Sequence, residues 1–307
     1  MGALKGQNLR IYAVDLSGGQ QNAKYKVIGM ATNCVITLNT NQDDASTKDD
    51  VGMASKPTIV SKSWQVQVDT MNVSDVATML NAIKNSTIFI LKWDLADTTN
   101  NQTAEQDSLS HTGQAYLTDF TASFNNRENS VKNLQFTGIS AITHDSTTDS
   151  AVISAGSYTK GQTVRLFLGS DNTATPSKVI GAASQLQLHV SVQLENSTTK
   201  DTTGDWEVQE PVGISYDITS NALVRSGESI SSSVQAQALN DLETIYEAGN
   251  PVKWLIANVS GDNNRTKGSV ICSGSCIISQ LQINAQNKQS ATYQANLLGY
   301  GDMTVSA

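Results

Sequence analysis

The sequence predicts a mainly β chain of 307 residues, built as two tandem homologous halves with one flanking α-helix each. Three observations predict it. The stretch Lys5-Gly6-Gln7-Asn8-Leu9-Arg10-Ile11-Tyr12 returns at mid-chain as Lys160-Gly161-Gln162-Thr163-Val164-Arg165-Leu166-Phe167. Further matches follow in the same order to the end of the chain, the mark of an internal repeat. Most matched segments alternate apolar and polar residues, the pattern of half-buried strands, and one per half has helical spacing.

The first strand is Leu9 to Val14, with Val164 to Leu168 as its counterpart. Lys26 to Thr32 then matches Lys178 to Ser184 at an offset of 152. Cys34, Ile36 and Leu38 alternate along the next strand, as do Leu186, Leu188 and Val190, with Gln187 and His189 on the opposite face. A one-residue slip would turn the apolar set to water, so shared parity argues for a shared fold. Ser46-Thr47-Lys48-Asp49 with Gly52 matches Thr198-Thr199-Lys200-Asp201 with Gly204, and Ser63-Trp64 matches Ser215-Tyr216. The long polar segments between these strands read as projecting loops.

A helix follows in each half. Val76, Met79, Leu80 and Ile83 form one apolar face after an N-cap at Ser74; Leu239, Leu242, Ile245 and Tyr246 form the other. Leu80 pairs with Leu239 at an offset of 159, which places a short insertion around residues 221–232. Leu91-Lys92-Trp93 matches Val252-Lys253-Trp254 at 161, and so does the closing strand pair, with Phe120, Ala122 and Phe124 against Leu281, Ile283 and Ala285. Domain one is residues 1–143, a Ser/Thr/Asp-rich linker spans 144–159, and domain two is 160–307.

Composition bounds the function. A net charge of −8 and a pI near 4.8 argue against gripping nucleic acid through clustered Lys and Arg. The start lacks the layout of a signal peptide, Gly6 breaks the myristoylation pattern, and no apolar run is long enough to span a membrane. Three cysteines without a secretory signal fit a reducing cytoplasm. Cys272 and Cys276 lack the spacing and second pair of a zinc site and read, with Cys34, as buried thiols. His111, His144 and His189 have no matching copies, and no catalytic elbow, phosphate loop or metal motif is present. No enzyme activity, cofactor or metal is expected.

These landmarks resemble the major tail tube proteins of long-tailed, siphovirus-type bacteriophages, with the tube domain duplicated in one chain. The resemblance rests on Lys26 to Thr32, Ser46 to Asp49 with Gly52, Ser63-Trp64, the helix from Ser74 to Lys84, and the hairpin ending at Gly138, each present again in the second half. It implies a tail-tube β-sandwich or barrel with one flanking helix per domain. Most relatives carry one domain and close a ring of six subunits, so two fused domains imply rings of three chains. Such rings stack into a hollow tube in the virion tail that conducts DNA during ejection, after synthesis in the bacterial host cytoplasm. The implied partners are the chain itself, the tape measure protein, the tail terminator and distal tail proteins; DNA passes without specific binding and no membrane is involved. The alternative functions are the inner tube of a contractile tail or secretion-type machine, and a β-rich adhesin or fibre module.

Site expectations follow. Thr47, Lys48, Asp49 and Gly52, with Thr199, Lys200, Asp201 and Gly204, are candidate ring-to-ring loops. Arg10 and Arg165 occupy repeat-equivalent places in the first strands and should meet equivalent partners. Asp69, Glu128 and Asp217 are candidate lumen acids, since a lumen rich in cations would hold DNA rather than let it slide.

Overall fold

Backbone groups that leave water must pair with each other, and β-branched and aromatic alternation steers this chain to sheet pairing. The computed structural model joins 17 strands among its described residues in one hydrogen-bonded network. It describes residues 9–15, 26–49, 54–71, 76–96, 104–105, 110–144, 159–202, 204–224, 236–237, 239–260 and 266–306. Ser74, Gly52, Lys5-Gly6-Gln7 and most of the 144–159 linker lie outside the described residues.

The first half contains β1 (Leu9–Asp15), β2 (Lys26–Val27), β3 (Ala31–Asp44), β4 (Pro57–Thr70), α1 (Val76–Lys84), β5 (Ile88–Ala96), β6 (Ala104–Glu105), β7 (His111–Asn125), β8 (Val131–Gly138) and β9 (Thr143–His144). The second contains β10 (Val164–Leu168), β11 (Lys178–Ile180), β12 (Ala183–Asn196), β13 (Gln209–Leu223), β14 (Ala236–Gln237), α2 (Leu239–Ala248), β15 (Val252–Ser260), β16 (Thr266–Asn284) and β17 (Thr292–Val305). β1 pairs β2 and β5, β5 pairs β7, β7 pairs β8, β8 pairs β4, and β4 pairs β3, all antiparallel. The second half repeats this order: β10 pairs β11 and β15, then β16, β17, β13 and β12 follow.

Register matches as well as order. Leu38 faces Trp64 as Val190 faces Tyr216, and Phe120 faces Leu134 as Leu281 faces Ala295. The left-handed turn residues recur too, with φ of 55° and 50° at Met30 and Ala182, 48° and 63° at Ser86 and Gly249, and 64° at both Arg127 and Lys288. Two alignments change. The helix starts, Val76 and Leu239, and the turns that end them, Ser86 and Gly249, differ by 163 rather than 159. The insertion before α2 is thus longer than sequence matching showed. Leu91 faces Gly113 while Trp254 faces its counterpart Gly274, which moves Trp254 two residues from its expected pairing with Trp93. A shift of two keeps the same face of the strand. Trp64–Trp93 and Tyr216–Trp254 accordingly meet in the same way, with centroids 5.6 Å apart and planes at 56°.

The core is built around those aromatics. Trp64 is fully buried and donates Nε1–H to the Ser140 carbonyl at 2.8 Å. It fits only because Gly113 and Gly138 lack side chains; a Cβ at either would strike its ring. Tyr216 lies equivalently over Gly274 and Gly299 and donates its hydroxyl to the Ser275 carbonyl at 2.6 Å.

The halves differ on the outer side of their first strands. Tyr12, Lys92 and Asp94 are fully buried in the first half, with Lys92 Nζ 3.9 Å from Asp94 Oδ2. Burial, then the Asp94 charge, pushes the Tyr12 hydroxyl up to about 12. At the matching register the second half has Phe167, Leu255 and Ala257, a small apolar cluster.

Candidate assembly interface

The two halves meet by strand pairing. β7 is 15 residues long and divides its edge. His111 to Tyr116 pair with β5, while Asp119 to Asn125 pair antiparallel with β12, Val190 facing Phe120 and Leu186 facing Phe124. This joint makes one run of eight strands, β3-β4-β8-β7-β12-β13-β17-β16. The core-facing side chains on both sides of the joint are buried.

Three further contacts secure it. The β7–β8 turn carries the opening of the second half: Gly161 N–H donates to the Glu128 carbonyl at 2.9 Å, and Ser130 N–H to the Thr159 carbonyl at 2.8 Å. Gly161 is required there, because a Cβ would collide with the Asn125 backbone. The β12–β13 hairpin reaches past the joint onto β4. Lys62 N–H donates to the Asp205 carbonyl at 2.6 Å, Lys62 Nζ meets the Asp205 carboxylate at 3.0 Å, and Ser61 donates to Glu207 at 2.7 Å. Finally, Leu80 and Ile83 of α1 face Val190, Tyr216 and Met303 across the boundary.

The side of the eight-strand run away from the core is largely polar, with Leu298 and Val35 as exposed exceptions. Gln65, Gln67, Asn133, Gln135, Gln185, Gln187, Gln294 and Asn296 stand on it, bonded in places across strands, as Asn221 to Gln185 at 2.9 Å and Asn296 to Gln280 at 2.8 Å. Its charges where β4 pairs β8, β7 pairs β12 and β13 pairs β17 are Asp69, Asp119, Asp217 and His189, with no Lys or Arg there among the described residues. His189 stands at the joint. Its Nδ1 lies 2.7 Å from Asp217 and its Nε2 lies 2.8 Å from Asp119. Carboxylates only accept, so the doubly protonated ring alone satisfies both contacts. Burial pulls the His189 pKa down, but the hydrogen bonds and charges of the two aspartates outweigh it and raise the value.

The expected site residues fall as follows. Asp69 lies on the polar face, accepting from Asn33 at 3.1 Å and from Asn133. Asp217 is on the same face, whereas Glu128 is exposed in the β7–β8 turn and accepts from Asn125 at 2.8 Å. Thr47, Lys48 and Asp49 are exposed at the end of the β3–β4 hairpin; Thr199, Lys200, Asp201 and Gly204 (φ 92°) are exposed at the end of β12–β13. Arg10 faces Asp94 and Arg165 faces Ala257, matching positions of different chemistry. Sequence reading missed Asp119 and the strand joint, because their partners come from both halves. Cys272 and Cys276 are buried, which raises both thiols, Cys276 to about 12; Cys34 is half-buried and raised to about 11.

The fold and joint define a mainly β structure whose halves share sheet order, register and turn geometry. No family model and no curated protein sequence matches the chain. Among solved structures it is similar to the tail of an empty gene transfer agent particle refined with C6 symmetry (12% identity, TM-score 0.34, 48% of this chain and 96% of that one). It is also similar to a chain of the native gene transfer agent virion (13%, 0.35, 48% and 99%) and to the SPP1 tail tube (13%, 0.34, 46% and 75%).

Proposed function

We propose that the chain is the structural subunit of a siphovirus-type phage tail tube, two fused tube domains whose three-chain rings stack into a conduit for DNA. The observation that carries this reading is the eight-strand run that crosses the joint with a largely polar face. A sheet that continues from domain to domain closes when the rotation between domains permits, and closure removes its open edges. The amide-rich face then lines the lumen. Its one cation among the described residues of that face, His189, is held between Asp119 and Asp217, so the aspartates leave phosphates no free counter-charge and DNA slides. Asp69, Asp119 and Asp217 are the lumen acids of this reading. The exposed hairpin ends at Lys48 and Lys200 make the ring-to-ring contacts, and ring ends meet the tape measure, terminator and distal tail proteins. Electron microscopy of the purified chain, concentrated at neutral pH, tests it: rings or hollow tubes are expected, and a monomer that never assembles would contradict it.

A further inference from the structure

The joint inside the chain has unused copies of both its strands. β12 is covered by β7, but its counterpart β3 pairs only with β4 among the described residues. β7 gives its second portion to β12, whereas the matching portion of β16, Gln280 to Asn284, pairs only with β17. Each open edge keeps the apolar parity of the closed one. Leu38 is 64% exposed where its counterpart Val190 is fully buried, and Ile283 is 51% exposed where Ala122 is fully buried. On α2, Tyr246 is 48% exposed at the place that Ile83 fills on α1.

We infer that β16 of one chain pairs antiparallel with β3 of a second copy, in the register of the internal joint, placing Leu38 opposite Leu281, Thr37 opposite Gln282 and Ile36 opposite Ile283. The inference rests on the ring reading above and names its contact surface. The register transfers because β3–β4 repeats β12–β13, and β16–β17 repeats β7–β8, residue for residue in pairing. The internal joint shows what covers such an edge, namely the other half of the repeat. Within one chain β3 and β16 lie at opposite ends of the eight-strand run, so only another chain can supply the partner. The same placement sets Tyr246 beside Leu38 of the second copy, as Ile83 lies beside Val190. The repeated joint differs in one respect. The Asp119–His189–Asp217 cluster has Gln280, Thr37 and Gln65 at the corresponding places, so the contact between chains carries no titrating group there.

Cysteine pairs test the register. Facing residues in antiparallel strands have Cα atoms about 4.5–5.5 Å apart, within disulfide reach. In a Cys34→Ser background, Thr37→Cys with Gln282→Cys sits on the polar face and leaves the core intact. Cys272 and Cys276 are buried and do not compete. Oxidised assemblies should give covalent dimers and trimers on denaturing gels. The slipped pair Asn33→Cys with Gln282→Cys is four residues out of register and should give at least about ten-fold less, its atoms lying roughly 13 Å apart. Assemblies visible by microscopy that do not cross-link, or that cross-link equally in both variants, would overturn the inference and leave the tube reading standing. Chains that neither assemble nor cross-link would overturn both.

Discussion

β12 and β3 hold equivalent places in the two halves, yet one is sealed and the other is open. Both alternate apolar residues in the same parity, and both pair with the following strand in the same register. β12 buries Leu186, Leu188 and Val190 because β7 continues its sheet and α1 covers its side. β3 leaves Leu38 in water because nothing in its own chain lies beyond it among the described residues. The contrast shows that burial here is set by the neighbour, and that the strand's own residues only prepare for one.

The comparison can be broken most directly at the two long strands. Phe120→Ala removes a fully buried ring from β7 and should cost about 3–5 kcal/mol in denaturant unfolding. Its counterpart Leu281→Ala should cost less than about 1 kcal/mol in the separate chain, since the site is only half-covered, and should instead weaken assembly. Equal costs in the unassembled chain would mean that the two edges are not in different states.

The turn contact at the internal joint comes next. Gly161→Ala pushes a Cβ into backbone and should lose about 1–3 kcal/mol, read as a lower midpoint with an unchanged slope. An unaffected midpoint would show that the opening of the second half does not need its close approach to the β7–β8 turn.

The histidine cluster distinguishes the internal joint from its copy by pH. The native His189 pKa is raised above the unfolded value of about 6.5. Its stabilisation is therefore full below about pH 6.5 and fades as pH rises through the raised native value. Thermal midpoints of the separate chain should fall across that window, and His189→Gln should flatten this part of the profile. A wild-type profile that rises with pH there would contradict the assigned charge state. The smallest effect is expected at Lys62→Ala. Its pair with Asp205 is partly exposed, so the loss should stay below about 1 kcal/mol, measured by the same unfolding curves.

Much of the fold was legible because strand parity is a local property. Cys34, Ile36 and Leu38 announce a strand as plainly as Leu186, Leu188 and Val190 do, and the helix faces follow from spacing alone. Burial was not legible, since Leu38 and Val190 look alike until a neighbour is placed. The helix offset was misjudged because apolar helix residues repeat every three or four positions, so Leu80 can match Leu239 or a position a turn later. The turns at Ser86 and Gly249 fix the choice. His189 was assigned to the polar face from alternation, but its partners Asp119 and Asp217 come from strands of different halves, which sequence spacing does not bring together. Buried Lys92 and Asp94 were missed because they lie on the outer side of β5, where alternation implies water.

A density map of the assembled particle by electron cryomicroscopy tests the central claim most directly. Each ring should show a continuous inner sheet of three eight-strand runs, with the β7–β12 joint inside each chain superimposing on the β16–β3 joint between chains. A ring in which β3 faces solvent, or meets any strand other than β16, would contradict it.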